Sequence, residues 1–316
     1  RQGIYTIKVF NIQLLKFNYI VFNYLMIAVL FPGQGSQYVG MVSDLYKKYG
    51  LVKKIFETID NKLGYSLSSI ILNGPESELK LTQNTQPAIM AASVSIFNVL
   101  LNHSDLNLKE PTFYAGHSLG EYTALVCSGS LTLEDAAYLL HERGKAMQDS
   151  VPAGIGGMIA VLGMSIQEVD NEINLLPKNI KCEIANDNCI GQVVVSGEMI
   201  GINMLKENLK KKGKKGIILP VSAPFHCSLM QKAADVMKVK IQDTNFLIPK
   251  PNIISNVTAK EENTVNSIKS LLVDQITSRV RWRESVEYMI NKGVKNFIEI
   301  GPGKVLSGLV KKISKD

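Results

Sequence analysis

Phe113-Tyr114-Ala115-Gly116-His117-Ser118-Leu119-Gly120-Glu121 is the stretch whose reading decides the fold. Phe113 to Ala115 form a short β-prone run, Gly116 to Gly120 spell Gly-x-Ser-x-Gly, and an apolar-periodic segment from Leu119 to Cys127 follows, closed by Gly129. Strand, sharp turn and helix in that order lift a serine to the tip of a sheet. Side chains at the two flanking positions would collide with strand and helix, which is why glycine fits there, and the serine between them sits in strained backbone. The helix behind it aims unpaired N–H groups at the point where an oxyanion would develop. A glycine-serine turn that merely caps a helix gives the same five letters. The strand before and the helix after favour Ser118 as a nucleophile.

Composition sets the bounds. The chain has 316 residues, 46% of them apolar, enough for a sizeable core arranged as one domain with an insertion or as two domains. A formal charge of +7 suits an acidic macromolecular partner. The basic residues are spread along the chain without a nucleic-acid motif, so nucleic acid is not expected as a ligand. Cys127, Cys182, Cys189 and Cys227 include no C-x-x-C pair, and His141-Glu142 continues as Arg-Gly-Lys rather than as a metal-binding H-E-x-x-H. No metal is expected, and a reducing compartment is the simpler setting.

From Arg1 to Ser43 there is no acidic residue. Residues 1–26 therefore read as a leader: either the remnant of an organelle transit peptide, pointing to a plastid or apicoplast stroma, or a plain extension of a cytoplasmic protein. The apolar run from Ile20 to Phe31 is interrupted by Asn23 and is too short to span a bilayer, so no membrane association is expected. Its second half, Ile27 to Phe31, reads as a buried strand leading into Pro32-Gly33-Gln34-Gly35-Ser36-Gln37. Tyr38 stands where a dinucleotide fingerprint needs its third glycine, leaving a tight loop that either supplies an oxyanion donor or is a simple turn.

Downstream, Thr85-Gln86-Pro87 predicts a helix start with proline at the first position. Thr132-x-x-Asp135 opens a helix whose apolar face runs Leu133, Ala136, Ala137, Leu140, Gly144 and Met147. Arg143 belongs near that face, where an unpaired charge is costly. Its partner is either a protein carboxylate or, since a guanidinium suits bidentate pairing, the carboxylate of a substrate. After a linker at Pro152 to Gly157, the order strand (Met158 to Leu162), helix, strand (Cys182 to Ala185), strand (Gln192 to Ser196), helix (Met199 to Lys212), strand (Ile217 to Val221) is a β-α-β-β-α-β, ferredoxin-like unit. The lysines between Lys210 and Lys215 close its second helix, as a solvated helix end or a docking patch for an acidic protein.

His226 follows a proline-stiffened loop where the chain re-enters the main domain. Ser118 needs a base. His103 reads as part of a polar loop, His141 lies inside a helix, and His117 points elsewhere on the turn, which leaves His226 by elimination. Alternating strands and helices after it imply a parallel sheet covered on both faces. The expected architecture is α/β: a parallel-sheet, α/β-hydrolase-like catalytic domain over 27–152 and 223–316, with the ferredoxin-like subdomain inserted at 153–222.

Phe31-Pro-Gly-Gln-Gly-Ser-Gln37, Thr85-Gln-Pro-Ala88, Gly116-His-Ser-Leu-Gly-Glu-Tyr122, Arg143-Gly144, Gly191-Gln-Val-Val194 and Gly301-Pro-Gly-Lys-Val-Leu306 together, from Ile27 to Ile313, resemble the bacterial-type malonyl-CoA:acyl carrier protein transacylases of type II fatty acid synthesis. The resemblance implies that Ser118 is acylated and that His226 serves as its base and acid. It implies an oxyanion hole from Gln34 and the N–H of Leu119, and substrate binding by Arg143, Met147 and His117. It further implies that a backbone carbonyl at Gln275, rather than an Asp, orients the histidine. Asn186 and Asn188 match polar residues near the active-site loop. Phe225 stands where some relatives have Ser, and Ser278-Arg-Val-Arg281 departs from the commoner Asn-Pro-Val. No cofactor is implied beyond the phosphopantetheine of acyl carrier protein. The implied partners are malonyl-CoA, coenzyme A and acyl carrier protein, and a monomer is expected. Three other readings share parts of this pattern: a serine hydrolase or thioesterase, an acyltransferase for another acyl-CoA, and a non-catalytic module that binds carrier protein.

Overall fold

The computed structural model describes residues 4–6, 26–104, 108, 111–152 and 154–314. The first half of the chain runs β1 (Ile4–Thr6), β2 (Ile27–Phe31), α1 (Ser43–Lys48), α2 (Gly50–Leu63), α3 (Leu67–Asn73), α4 (Glu76–Lys80), α5 (Thr82–His103), β3 (Phe113–Gly116), α6 (Gly120–Cys127) and α7 (Leu133–Asp149). Next come β4 (Gly156–Leu162), α8 (Ile166–Asn174), β5 (Cys182–Cys189), β6 (Gln192–Glu198), α9 (Met199–Lys211) and β7 (Lys215–Ile218). A 3₁₀ turn (Ser228–Met230) leads to α10 (Gln231–Asp243), β8 (Ile253–Ile254), β9 (Glu261–Glu262), α11 (Val265–Thr277), α12 (Trp282–Asn291), β10 (Asn296–Glu299) and α13 (Val305–Ile313). Apart from Ile4–Thr6 and Met26, the leader segment 1–26 lies outside the described residues.

The larger sheet has the order β1-β10-β2-β3-β8-β9 and is parallel except for β9, which pairs antiparallel with β8. All five residues of β2, Ile-Ala-Val-Leu-Phe, are buried. A strand covered by helices on both faces has no use for a polar face, so its sequence is a continuous apolar run. Register then decides what meets at the sheet's carboxyl edge: Phe31 lies beside Gly116, and Tyr114 and Ala115 lie beside Ile253 and Ile254. The loop after β2, the turn after β3 and the segment after β8 leave the sheet side by side.

The smaller sheet is antiparallel with the order β5-β6-β4-β7, and α8 and α9 pack with it on the buried face of β4 and β6. Its strands differ in extent from the sequence reading. β4 starts at Gly156, β5 continues to Cys189 through two register shifts, and the last strand is Lys215–Ile218 rather than 217–221. The irregular part of β5 also forms a parallel bridge from Asn186 to Val280, with Asp187 N–H donating to Val280 O and Val280 N–H to Ala185 O. This seam ties the two sheets' regions together.

Two local expectations are corrected. The helix expected to begin at Thr85 with Pro87 at its first position begins at Thr82, so Pro87 lies within α5. The first turn lacks an apolar periodicity because Asn84 and Thr85 are buried and bonded inward: Thr85 Oγ1 donates to Leu79 O at 2.6 Å and Asn84 Nδ2 to Glu78 O at 2.9 Å. His103 is not in a loop but in the last turn of α5, its ring 4.8 Å from that of Tyr49.

The glycines of the pentapeptide work by close approach. A Cβ on Gly116 would lie 1.9 Å from the carbonyl carbon of Gly120, and one on Gly120 would lie 2.3 Å from Phe31 O. The turn is thus wedged between its own strand, its own helix and the neighbouring β2. Gly120→Ala is expected to lower unfolding free energy by about 1–3 kcal/mol, the usual cost of overpacking a rigid site. Urea denaturation of the two proteins checks it, and equal midpoints would contradict the packing.

Candidate active site

The backbone at Ser118 has φ 54°, in the left-handed region. For a residue with a side chain this conformation is strained and persists only where its surroundings enforce it. Its N–H donates to Asn256 Oδ1 at 2.7 Å, and Asn256 Nδ2 donates to Gly116 O at 2.7 Å. The next N–H groups along the helix start donate within the turn: Gly120 to His117 O and Glu121 to Ser118 O. Leu119 N–H is left without an acceptor among the described residues, and so is the N–H of Gln34 in the adjoining loop. That loop is pinned to the elbow, since His117 N–H donates to Phe31 O at 3.0 Å. The free N–H of Leu119, on the residue next to the serine, suits a developing oxyanion.

His226 also has positive φ, 60°, and is buried. Its Nδ1 lies 2.8 Å from Gln275 O and its Nε2 2.7 Å from Ser118 Oγ. A carbonyl oxygen can only accept, so Nδ1 carries the proton and Nε2 is free to take one from the hydroxyl. The loop bearing His226 is held by the small sheet. Ser196 Oγ donates to Phe225 O at 2.5 Å, and Glu183 accepts from both Ser228 N–H and the Ser228 hydroxyl. Burial, followed by the neighbouring Arg143 charge, lowers the His226 pKa to about 3. The imidazole is therefore neutral, as a proton acceptor must be.

Arg143 on α7 is 1% exposed. α7 lies close against the start of α5, where a Cβ on Gly144 would be 2.5 Å from Thr82 O. This contact sets Arg143 opposite Gln86. Nη1 donates to Gln86 Oε1 at 2.6 Å, while Nη2 donates to Gln275 Oε1 at 2.9 Å and to Ser118 Oγ at 3.1 Å. The Tyr122 ring lies 5.8 Å from the guanidinium carbon, and Nε has no partner. Among the described residues Arg143 forms no ion pair with a carboxylate, so the protein-carboxylate alternative is not the one realised. A buried cation whose hydrogen-bond partners are all neutral can still gain by pairing with an anion. Met147, one turn further, is buried, with its Sδ 3.9 Å from Gln86 Nε2.

Glu121 is the nearby anion. Its Oε2 accepts from Asn256 N–H at 3.0 Å and from Gln275 Nε2 at 2.8 Å. Burial pushes its pKa up to about 7, opposed by those two bonds and by Arg143. Gln275 therefore stands between Glu121 and Arg143 with one end of its amide on each, while its backbone carbonyl holds His226. His117 turns away from the hydroxyl and meets Asn188 Oδ1 through Nε2 at 2.9 Å, with its ring 5.6 Å from that of Trp282. Of the lysines at the end of α9, Lys212 pairs with Glu172 and Lys214 reaches Gly163 O at 3.4 Å.

Ser118, His226, Arg143 and Gln275 are joined by direct hydrogen bonds, Leu119 follows Ser118 in the turn, Met147 touches the Gln86 that holds Arg143, the loop carrying Gln34 leaves the sheet beside the turn, and His117 bridges to the small sheet. Gln86, Glu121 and Asn256 were not singled out from sequence as site residues. Gln86 and Glu121 do lie inside the motifs quoted above, which was the available signal. For Asn256 the signal is register: it lies two residues beyond Ile254, just past the strand that pairs with β3, and strand neighbours are not legible in one sequence. Among the described residues no group of three or more His, Cys, Asp or Glu is placed to hold a metal ion.

Residues 29–316 match the model of the acyl transferase domain family, and the chain belongs to that family. The motif resemblance is borne out by individual relatives. A malonyl CoA-acyl carrier protein transacylase of Bacillus subtilis is 43% identical over 297 residues, 92% of this chain and 90% of the relative. The crystal structure of an acyl-carrier-protein-S-malonyltransferase from Bartonella henselae superposes with a TM-score of 0.89 at 43% identity, covering 92% of this chain and 93% of that one. A malonyl-transacylase solved in complex with a type II PKS acyl-carrier protein gives 0.88 at 40% identity, covering 92% and 93%.

The pH profile tests the state of His226. A depressed histidine pKa stabilises the fold above the ordinary value of 6.5, and that contribution is lost as pH falls towards about 3. For activity, the acid limb of kcat/KM set by the histidine is expected well below 6.5. Measuring it in Glu121→Gln removes the other group titrating near neutrality. An acid inflection near 6.5 in that variant would contradict a neutral, buried His226.

Proposed function

We propose that this chain moves the malonyl group from malonyl-CoA to the phosphopantetheine thiol of acyl carrier protein through a malonyl ester on Ser118, for fatty acid synthesis. The observation that carries the reading is Arg143: a buried guanidinium with only neutral partners, one of its nitrogens 3.1 Å from the Ser118 hydroxyl. A thioester substrate that carries a free carboxylate satisfies that charge while its carbonyl reaches the nucleophile. The names of the relatives point the same way.

The steps follow from the geometry. His226 Nε2 takes the Ser118 proton as the oxygen attacks the thioester carbonyl. The resulting oxyanion meets the free N–H groups of Gln34 and Leu119, donors of a kind worth about 3 kcal/mol each. Collapse breaks the C–S bond, the imidazolium returns its proton to the departing coenzyme A thiolate, and malonyl remains on Ser118. The carrier-protein thiol gives its proton to His226 and attacks the ester, and as the C–O bond breaks the imidazolium returns that proton to the Ser118 oxygen, closing a ping-pong cycle. Gln275 O keeps the imidazole in the required tautomer throughout. Met147 lines the pocket that holds the acyl chain, His117 borders it, and no cofactor is called for.

At finer detail, we read the parallel sheet, over 27–152 and 223–316, as an α/β-hydrolase-like core. The inserted β4-α8-β5-β6-α9-β7 unit, residues 153–222, is read as ferredoxin-like, which its strand order supports. The chain acts as a monomer in this reading, and its net positive charge suits an acidic carrier protein. No helix among the described residues is long and apolar enough to cross a membrane. The relatives are bacterial and lend no support to an organelle address for the leader.

Arg143→Ala is the discriminating variant. It is expected to cost about 2–5 kcal/mol in kcat/KM for malonyl-CoA, the range for removing one member of a buried charge pair. Use of acetyl-CoA is expected to be retained or raised, because that acyl group brings no carboxylate to pair. Steady-state assays with both substrates check it, and an equal loss on both would remove Arg143 from the role of clamp.

A further inference from the structure

The nucleophile's backbone is held by the segment that leaves the neighbouring strand. Asn256 spends both ends of its amide on the elbow: Oδ1 accepts from Ser118 N–H at 2.7 Å and Nδ2 donates to Gly116 O at 2.7 Å. Its own N–H is fixed by Glu121 Oε2 at 3.0 Å, an oxygen that also accepts from Gln275 Nε2 at 2.8 Å. Asn256 and Gln275 are 1% and 0% exposed, and Glu121 is 1% exposed, so the bonds among these residues and to Gly116 O are shielded from water. The position is dictated by the parallel pairing of β8 with β3, which brings the segment after Ile254 alongside the turn after Gly116.

Two consequences follow. First, a non-glycine residue at φ 54° is strained by roughly 1–3 kcal/mol and needs its surroundings to over-determine it. A side-chain amide bridging the groups on both sides of His117 does this as a neighbouring strand would. Second, because Ser118 N–H is already spent on Asn256, the elbow presents the next N–H, that of Leu119, to the reacting oxygen. The same oxygen of Glu121 that orients Asn256 also anchors Gln275, whose carbonyl orients His226 at 2.8 Å.

We propose that Asn256 is a positioning residue for acyl transfer, which locks Ser118 in its attacking conformation, and that Glu121 couples this lock to the orientation of His226. The proposal rests on Ser118 being the acylated nucleophile. Asn256 touches neither substrate nor reacting atoms, so its loss acts on the rate of chemistry rather than on thioester binding.

The test uses the full chain, with the rate of Ser118 acylation by malonyl-CoA measured by rapid quench and intact-protein mass spectrometry. The rate is normalised to the fraction of molecules that finally acylate. For Asn256→Ala, the acylation rate per competent site is expected to fall about 10- to 100-fold, the scale of a misplaced reacting group, with KM within about twofold of wild type. Asn256→Asp supplies a second readout. Its ionised carboxylate cannot donate to Gly116 O, whereas its protonated form both donates and accepts, so its rate relative to wild type is expected to rise as pH is lowered. If Asn256→Ala acylates at the wild-type rate per competent site, or loses only the competent fraction, Asn256 is structural and the proposal falls. A flat pH ratio for Asn256→Asp overturns it as well. Absence of any adduct on wild-type Ser118 defeats the nucleophile assignment itself, and the proposal with it.

Discussion

A single oxygen atom, Ser118 Oγ, is shared between an imidazole that accepts its proton at 2.7 Å and a guanidinium that donates to it at 3.1 Å. The rest of the structure serves that sharing. A hydroxyl in such a position has a neutral imidazole nitrogen within reach of its proton and, on its other side, a cation suited to the carboxylate of a substrate. All three side chains come from different parts of the chain, and two of them sit on backbone that L-residues adopt only under constraint. Burial acts on both partners: it keeps His226 neutral, and it leaves Arg143, whose hydrogen-bond partners are all uncharged, open to pairing with a carboxylate that enters the site.

The constraint is supplied from both sheets. On the parallel side, β2 and β8 flank β3, so the loop with Gln34 and the amide of Asn256 close on the elbow from opposite directions. On the antiparallel side, Ser196 and Glu183 hold the loop that carries His226. The seam between Asn186 and Val280 is reinforced by Arg283, whose guanidinium reaches the buried Asp187 at 2.8 Å. Because α11, which carries Gln275, ends just before that seam, the small sheet braces both the histidine and the carbonyl that orients it. The antiparallel sheet is therefore part of the site rather than an appendage.

Much of this was legible in the sequence because close packing leaves marks. Gly116 and Gly120 stand where backbone meets backbone, Arg143 lies on an apolar helical face, and His226 remains when the other histidines are placed. The alternation of strands and helices gave the mixed α/β class. What was not legible depends on adjacency between distant segments. Nothing in Ser255-Asn256-Val257 says that β8 pairs with β3, and nothing in Gln86 says that its helix faces Arg143. Polar residues buried inside α5 erased the helical periodicity of its first turn, which moved its apparent start to Thr85. His103 reads as loop for a related reason, since the end of a helix and the start of a polar loop look alike without a cap. Strand ends in the small sheet drifted because the irregular part of β5, Asn-Asp-Asn, is used for cross-contacts to His117, Arg283 and Val280 rather than for an apolar face.

The central claim is that malonyl rests on Ser118 between two thiols. The direct measurement is to incubate the protein with malonyl-CoA, remove free thioester, locate the acyl group by peptide mass spectrometry, and then add acyl carrier protein bearing its phosphopantetheine arm. The account requires a malonyl ester on the peptide containing Ser118 that disappears as malonyl appears on the carrier protein. An ester elsewhere, no ester at all, or an ester that is lost to water at the same rate whether or not carrier protein is present would contradict it.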